Sequence, residues 1–335
     1  MIKLLNNPTF DNERNVLNAD LFVNNLKNTL KAFKFNPKIV YEVYRNITIY
    51  RISWNDDKTY DDILELRKEI ALSLGIRIEE LEIKKISDNE IEIIVFNMKR
   101  KILTLKEVLS EYKRDDTFKV ALGMDLKDNI IYFDFDKEKS LLVTGVSGTG
   151  KTNLFNNIIM NILINYDDTE IILLDSQGIN YNLYDGVCEV VNKEEKIIDR
   201  IRLLRREFED RIKNGDKKRT IVLIDEIYEI INIDNSIKND INYLLELGGM
   251  ANIHLIISTD SIMEDDTYDL FKRDNIAKLC FYLTSRCEYN LFLDNVVTES
   301  LNNDGMYLGQ DSKLIRISVP LVGDDEIERV VSSKK

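Results

Sequence analysis

Apolar residues fall into two rhythms along this chain, and the change of rhythm divides it. In the first third, Phe22, Leu26, Leu30 and Phe33 recur at helical spacing until Asn36-Pro37 stops the pattern. The residue before a proline is pushed out of the α region, so a helix ends there. Alternation follows in Ile39-Val40-Tyr41-Glu42-Val43-Tyr44 and in Ile47-Thr48-Ile49-Tyr50-Arg51-Ile52, the period of two expected of half-buried strands. A helix is predicted over 60–75, with Tyr60, Ile63, Leu64, Ile70, Ala71 and Leu74 on one face. Leu81-Glu82-Ile83, the turn Ser87-Asp88-Asn89-Glu90 and the run Ile91 to Phe96 read as a hairpin. These pieces make a small α+β unit with no evident chemistry of its own.

From about residue 118 the rhythm becomes strand, helix, strand, helix. Short, nearly continuous apolar runs stand at 139–144, 170–174, 220–225, 253–258 and 279–283, separated by helical patterns at 151–165, 193–213 and 237–247. Strands without polar alternation are buried on both faces, which a parallel sheet between two helix layers achieves. The expected organisation is a lead-in helix at 1–36, a small α+β domain at 37–115, an α/β domain at 116–325 and a tail at 326–335 whose Ser332-Ser333-Lys334-Lys335 end frays.

One segment brings chemistry to this pattern. Gly145-Val146-Ser147-Gly148-Thr149-Gly150-Lys151-Thr152 has the form G-x-x-x-x-G-K-[ST] and lies between an apolar strand and an apolar helix that continues from Asn153. Glycines there let backbone amides curl round phosphate oxygens, and the helix N-terminus adds partial positive charge. Residues 145–153 are therefore the expected nucleotide-binding segment, with Lys151 reaching the β and γ phosphates of ATP and the Thr152 hydroxyl on Mg²⁺. A second segment, Thr220-Ile221-Val222-Leu223-Ile224-Asp225-Glu226, is a strand ending in two acids. Asp225 is expected to hold Mg²⁺ through water, and Glu226 to polarise an attacking water. The run Ile253-His254-Leu255-Ile256-Ile257-Ser258-Thr259-Asp260 ends at the same sheet edge, so Thr259 is a candidate γ-phosphate sensor or a plain strand terminus. A cation acting from a neighbouring subunit is sought among Lys272, Arg273, Lys278 and Arg286, with Arg286 first, and Lys272 and Arg273 are also candidate contacts to DNA phosphate. The arginines of 193–213 (Arg200, Arg202, Arg205, Arg206, Arg211) interleave with acids and read as a solvated helix face.

Composition narrows the classes. At 44% hydrophobic and 31% charged the chain is an ordinary globular one, and no apolar run approaches the ~18–20 residues of a membrane helix. The start MIKLLNNPTF lacks the basic and apolar regions of a signal peptide, so no membrane insertion and a cytoplasmic location are expected. Cys188, Cys280 and Cys287 lack zinc-site spacing and read as reduced thiols, and the lone His254 reads as a packed strand residue. A formal charge of −13 sits poorly with a protein that coats DNA, unless contact is confined to a few loops.

Taken in order, several further segments resemble the FtsK/SpoIIIE motor family. They are Ala121-Leu122-Gly123-Met124-Asp125, Asp175-Ser176-Gln177 with Asn180-Tyr181-Asn182-Leu183-Tyr184, and Gly248-Gly249-Met250-Ala251-Asn252-Ile253-His254. Phe281 to Arg286, Leu293-Asp294 and Gly305-Met306-Tyr307-Leu308 follow its closing strands, and 38–110, with Asn97-Met98-Lys99-Arg100-Lys101, resembles its small stacked domain. The chain departs from the family at Asp260, where a glutamine is usual, and at Lys278, where an arginine is usual. Neither the family's membrane-spanning region nor its winged-helix module is expected within these 335 residues. The resemblance implies a RecA-like P-loop NTPase core, a homo-hexamer closing round double-stranded DNA, and ATP hydrolysis at subunit boundaries. Three other readings are a coupling ATPase with a membrane or conjugation-machinery partner, a secretion ATPase engaging protein, and a nucleotide-gated scaffold without turnover. Glu226 speaks against the scaffold, which needs no acid to activate water.

Overall fold

The computed structural model describes residues 1–7, 13–78, 81–97, 101–112, 115–262, 265–273, 276–293, 304–309 and 311–335, with the side chains of 13–17, 265–267 and 286 outside that description. The family-like positions 98–100 and Asp294 are therefore outside it too. The chain forms two compact units, one of Thr9–Ile102 with Leu126–Asn129, the other of Met1–Pro8, Leu103–Asp125 and Ile130–Lys335.

The smaller unit contains α1 (Glu13–Ala32), β1 (Lys38–Val43), β2 (Ile47–Ser53), α2 (Tyr60–Glu65), α3 (Arg67–Leu74), β3 (Glu82–Ser87) and β4 (Glu90–Phe96). Its strands form one antiparallel sheet in the order β1-β2-β4-β3. Alternation in β2 and β4 sends Tyr50, Ile52, Ile91 and Ile93 into a core completed by Leu26 and Leu30 of α1 and Ile70 and Leu74 of α3. Thr59 starts α2 through a capping box with Asp62, and Gly75 ends α3 in the left-handed conformation. The single helix expected over 60–75 is broken at Leu66, whose backbone at φ −91° and ψ 11° steps out of helical geometry while its side chain stays in the core. The chain's one tryptophan, Trp54, is buried here, its indole N–H donating to the Lys58 carbonyl at 2.8 Å and its ring edge-on to Phe35. The lead-in helix expected to stand apart is thus part of this unit's core. Phe33, placed by spacing on its apolar face, lies past the helix end and is exposed.

The larger unit runs through α4 (Leu105–Ser110), β5 (Lys119–Asp125), β6 (Ile130–Asp134), α5 (Phe135–Glu138), β7 (Leu141–Thr144), α6 (Lys151–Asn165), β8 (Thr169–Asp175), β9 (Glu189–Val191) and α7 (Glu194–Asn214). It continues with β10 (Arg219–Asp225), α8 (Ile227–Ile233), α9 (Ile237–Leu247), β11 (Ile253–Thr259), α10 (Asp265–Phe271), β12 (Ala277–Cys280), α11 (Arg286–Leu293), β13 (Gly305–Leu308), β14 (Leu314–Ser318) and α12 (Asp324–Ser332). The sheet order is β6-β5-β14-β13-β12-β7-β11-β10-β8-β9. Every pairing from β12 to β9 is parallel, and β13, β14, β5 and β6 extend it antiparallel. The fold is α/β, with a mixed, mostly parallel sheet. Successive strand residues feed two cores: Leu141, Val143, Ile221 and Leu223 join one face, Leu142, Val222 and Ile224 the other. Each such side chain contributes about 1.5–3 kcal/mol by leaving water, which is why these strands carry no polar alternation.

Helix α6 is tied to β5 by polar side chains on an apolar helix. A bulge in β5 between Ala121 and Gly123 disturbs the ladder, and two buried asparagines supply the missing partners. Asn157 Nδ2 donates to the carbonyls of Ala121 and Leu122 at 3.0 and 3.1 Å, and the Ala121 N–H donates to Asn161 Oδ1 at 3.1 Å. At Gly123 a Cβ would stand 2.1 Å from the Ser318 carbonyl oxygen, so β14 can approach β5 this closely only at glycine. The expectation of a fraying tail is corrected: α12 buries Ile327, Val330 and Val331, and beyond it the N–H groups of Ser333 and Lys334 donate to the Val330 and Val331 carbonyls at 3.1 and 3.0 Å. Charges at the exposed positions Asp324, Asp325, Glu328 and Arg329 hid this amphipathic face.

Candidate nucleotide-binding site

Four parallel strands deliver the site from their carboxyl ends. After Thr144 the chain turns through Gly145 to Gly150 into α6, with Gly148 and Gly150 at φ 79° and 116°, where a side chain is strained. No side chain caps α6, so its first amides are left for a ligand. Val146 and Thr149 hold the loop's shape: the Val146 N–H donates to the Tyr282 carbonyl at 2.9 Å, and Thr149 Oγ1 donates back to the Val146 carbonyl at 2.7 Å. A cavity of about 290 Å³ opens over this turn, lined by Ser147, Gly148, Gly150, Lys151, Thr152, Asn153, Gln177, Asn180, Asp225 and Glu226.

Lys151 is buried, its ammonium donating to the Gly145 carbonyl at 2.7 Å and paired with Glu226 Oε1 at 3.0 Å. Glu226 stands at the N-cap position of α8, without a side-chain capping bond, in a left-handed backbone at φ 52°, an uncommon conformation for a side chain of this size. Its own N–H donates to Ser258 Oγ at 3.0 Å, and its Oε2 accepts from the Asp260 N–H at 2.9 Å. Burial pushes the Glu226 carboxyl above the usual range, with the Lys151 ammonium opposing. The other acid, Asp225, is 3% exposed and held at both oxygens: Ser258 Oγ donates to Oδ1 at 2.5 Å and the Tyr181 hydroxyl to Oδ2 at 2.8 Å. Burial raises its carboxyl too, while those two hydroxyls pull it back down. Asp175 ends the neighbouring strand in register with Asp225; its Oδ2 accepts from the Asn180 N–H at 2.9 Å, and its Oδ1 is buried with no partner among the described residues. The oxygens of Thr152 and Asp225 on one cavity wall are the hard donors that Mg²⁺ takes.

Of the residues singled out from sequence, Ser147, Gly148, Gly150, Lys151, Thr152, Asn153, Asp225 and Glu226 come together on this cavity. The Asn153 amide is occupied elsewhere, donating to the Pro320 carbonyl at 2.8 Å and accepting the Val322 N–H at 3.0 Å. Thr259 is fully buried beside Thr144 and its hydroxyl donates to the Ser261 carbonyl at 2.8 Å. Lys278 is only 1% exposed, its ammonium over the Phe292 ring within the larger unit, so in this conformation it is not offered to a neighbouring chain. Arg273 is spent on α9, with NH1 on Glu246 at 2.9 Å and NH2 on Asn242 at 2.6 Å, whereas Lys272 is exposed. Arg286 opens α11, and its side chain lies outside the described residues. On α7, Arg200 and Arg211 are buried rather than solvated, Arg200 between Glu189 and Glu207, Arg211 against Thr220. Among the described residues no cluster of His, Cys, Asp and Glu could hold a metal by itself, and no helix is long and apolar enough to cross a membrane. Tyr181, Asn180 and Ser258 were not anticipated as partners of the acids.

Comparisons with known proteins agree with this geometry. A model of the FtsK/SpoIIIE family matches residues 104–282, more than half of the chain. The DNA translocase FtsK of Staphylococcus aureus is 25% identical over 346 residues, which cover 92% of this chain and 44% of that protein. Its namesake from Halalkalibacterium halodurans is 24% identical, over 99% of this chain and 47% of that protein. The chain thus spans less than half the length of these curated relatives. Among solved structures, the pCW3 conjugation coupling protein TcpA, a monomer form with ATPγS, superposes with a TM-score of 0.62 at 16% identity, covering 95% of this chain and 99% of its own. Thermomonospora curvata EccC (ATPases 2 and 3), in complex with a signal sequence peptide, gives 0.55 at 14% identity over 76% of this chain and 48% of its own. Both are likenesses of fold.

Proposed function

Because the chain belongs to the FtsK/SpoIIIE family of P-loop ATPases, we propose that it is an ATP-dependent translocase of double-stranded DNA, working as a homo-hexamer that hydrolyses ATP at subunit interfaces. The observation that carries this reading is the meeting of Lys151, Thr152, Asp225 and Glu226 on one cavity at the end of the parallel strands. In this reading Lys151 exchanges the Glu226 carboxylate for the β and γ phosphates. That exchange frees Glu226, whose raised carboxyl suits a base, to take a proton from the attacking water. Thr152 and Asp225 would hold Mg²⁺, which neutralises charge developing on the phosphates. Ser258 keeps Glu226 at its backbone position, and the Asp260 N–H holds Oε2, while Oε1 changes partner. Thr259 is proposed to feel the γ-phosphate through strand β11, Arg286 to complete the site from the next subunit, and Lys272 to meet DNA phosphate.

The test is the ATPase rate with and without long duplex DNA, alongside mass measurement in nucleotide. Large stimulation that falls steeply with salt supports a DNA motor, since phosphate contacts release counterions. A rate indifferent to DNA would overturn it. A second reading, a coupling ATPase of a conjugative or mobile element, is favoured by the end-to-end match to the TcpA fold. It would show as retention of this chain by a membrane-anchored conjugation partner.

A further inference from the structure

Asp225 stands between two hydroxyl groups that the nucleotide motifs do not require. A carboxylate offers about four lone-pair directions, two on each oxygen. Here Ser258 Oγ takes one on Oδ1 at 2.5 Å and the Tyr181 hydroxyl one on Oδ2 at 2.8 Å, with Asn180 Nδ2 at the 3.5 Å limit from the same oxygen. The two donors come from different elements, β11 and the loop after β8, so together they fix the carboxylate plane as one bond could not. The Tyr181 ring has little freedom of its own: it is 1% exposed, roughly parallel to Phe155 with centroids 6.4 Å apart and tilted against Tyr184 at 6.5 Å. A rigid phenol with its only polar atom on a buried carboxylate is a positioning device. Groups that orient a ligand in this way alter metal affinity by about 10–100-fold when removed.

We infer that Tyr181 is a positioning residue that aims the Asp225 carboxylate at the magnesium of a bound metal–nucleotide complex. The inference rests on the reading of Asp225 as the metal-holding acid. It places the effect of Tyr181 on the metal and not on the nucleotide as such, because the phenol's hydrogen bond goes to Asp225 and Tyr181 does not itself line the cavity.

The experiment uses the full chain and its Tyr181→Phe variant, which keeps the ring and deletes one oxygen. Affinity for ATPγS is measured by calorimetry in EDTA and across a magnesium titration, and manganese binding to the nucleotide complex is followed by electron paramagnetic resonance. The expected result is a magnesium requirement raised about tenfold in Y181F, with weaker manganese binding and unchanged metal-free affinity. The parallel variant Ser258→Ala, removing the other hydroxyl, is expected to move the same way, and melting temperatures establish that both are folded. Equal losses with and without metal would make Tyr181 a packing residue and overturn the inference. No change in either measurement would overturn it as well. If the unmodified chain binds ATPγS without any response to magnesium, the metal role of Asp225 fails first, and the inference falls with it.

Discussion

Lys151 and Glu226 are each other's partners, and the buried Lys151 ammonium depends on that partner the more, since the Glu226 side chain keeps 13% of its surface exposed. Glu226→Gln removes a competitor for the ammonium as well as the base. ATP affinity in E226Q should therefore hold or improve by up to about tenfold, while turnover falls by about 10²–10⁴, the range general base catalysis supplies. Calorimetry and a steady-state assay separate the two, and unchanged turnover would remove Glu226 as the base. Lys151→Ala should act in the opposite order, costing affinity first. His254 makes a different residue-level prediction. Its Nδ1 faces the Lys139 carbonyl at 2.8 Å, so that nitrogen carries the proton, and Phe118 and Phe135 pack round the ring. Burial pushes its pKa down to about 4, below the unfolded value of 6.5. The unfolded chain therefore binds more protons between these values. The neutral ring's contribution is complete above about pH 6.5 and is lost as pH falls towards 4, amounting to about 3 kcal/mol in all. Melting temperature should fall between about pH 7.5 and about pH 5, and fall less in His254→Gln.

At the scale of elements, α6 is held by a ladder at every fourth residue: Asn153, Asn157, Asn161 and Asn165. Asn161→Leu would strand the buried Ala121 N–H, costing about 1–3 kcal/mol. It should lower the melting temperature and leave ATPγS affinity per folded molecule intact. Weakened binding in that variant would show that the ladder also sets the phosphate turn. The same helix shows what pattern alone reveals. The expected bounds 151–165 and 237–247 match α6 and α9, because local periodicity and glycines decide them. The antiparallel half of the sheet was not legible as a sheet, since β14 finds β5 across nearly the whole unit and only a few register pairs join them. The site divides likewise. Lys151, Asp225 and Glu226 stand in contiguous motifs. Ser258 reaches Asp225 only through register: β10 and β11 pair Ile224 with Ile257, which sets the next residues side by side. Aligning the two apolar runs end to end would have favoured Ser258 over Thr259 as the hydroxyl beside the acid. Tyr181 gave no such signal, because a loop brings it in.

For the molecule as a whole, a net charge of −13 means that any DNA contact must be local. Lys272→Glu should weaken DNA stimulation and flatten its salt dependence by about one counterion, with basal turnover unchanged. Equal stimulation in the variant would remove Lys272 from the DNA path. The two units also differ in their optics. Tyrosines occur in both, but Trp54 is the chain's one indole and is enclosed in the smaller unit, while the phosphate-binding turn belongs to the larger. Its fluorescence is a built-in dye for one half of the protein. During denaturation, emission should track the half that has no nucleotide, and circular dichroism both halves. ATPγS at a hundredfold excess over its Kd adds about 2.7 kcal/mol to whatever unfolds together with its site. A dichroism midpoint that moves while the emission midpoint stays would mean that the halves melt separately, and a joint movement would mean that they melt as one.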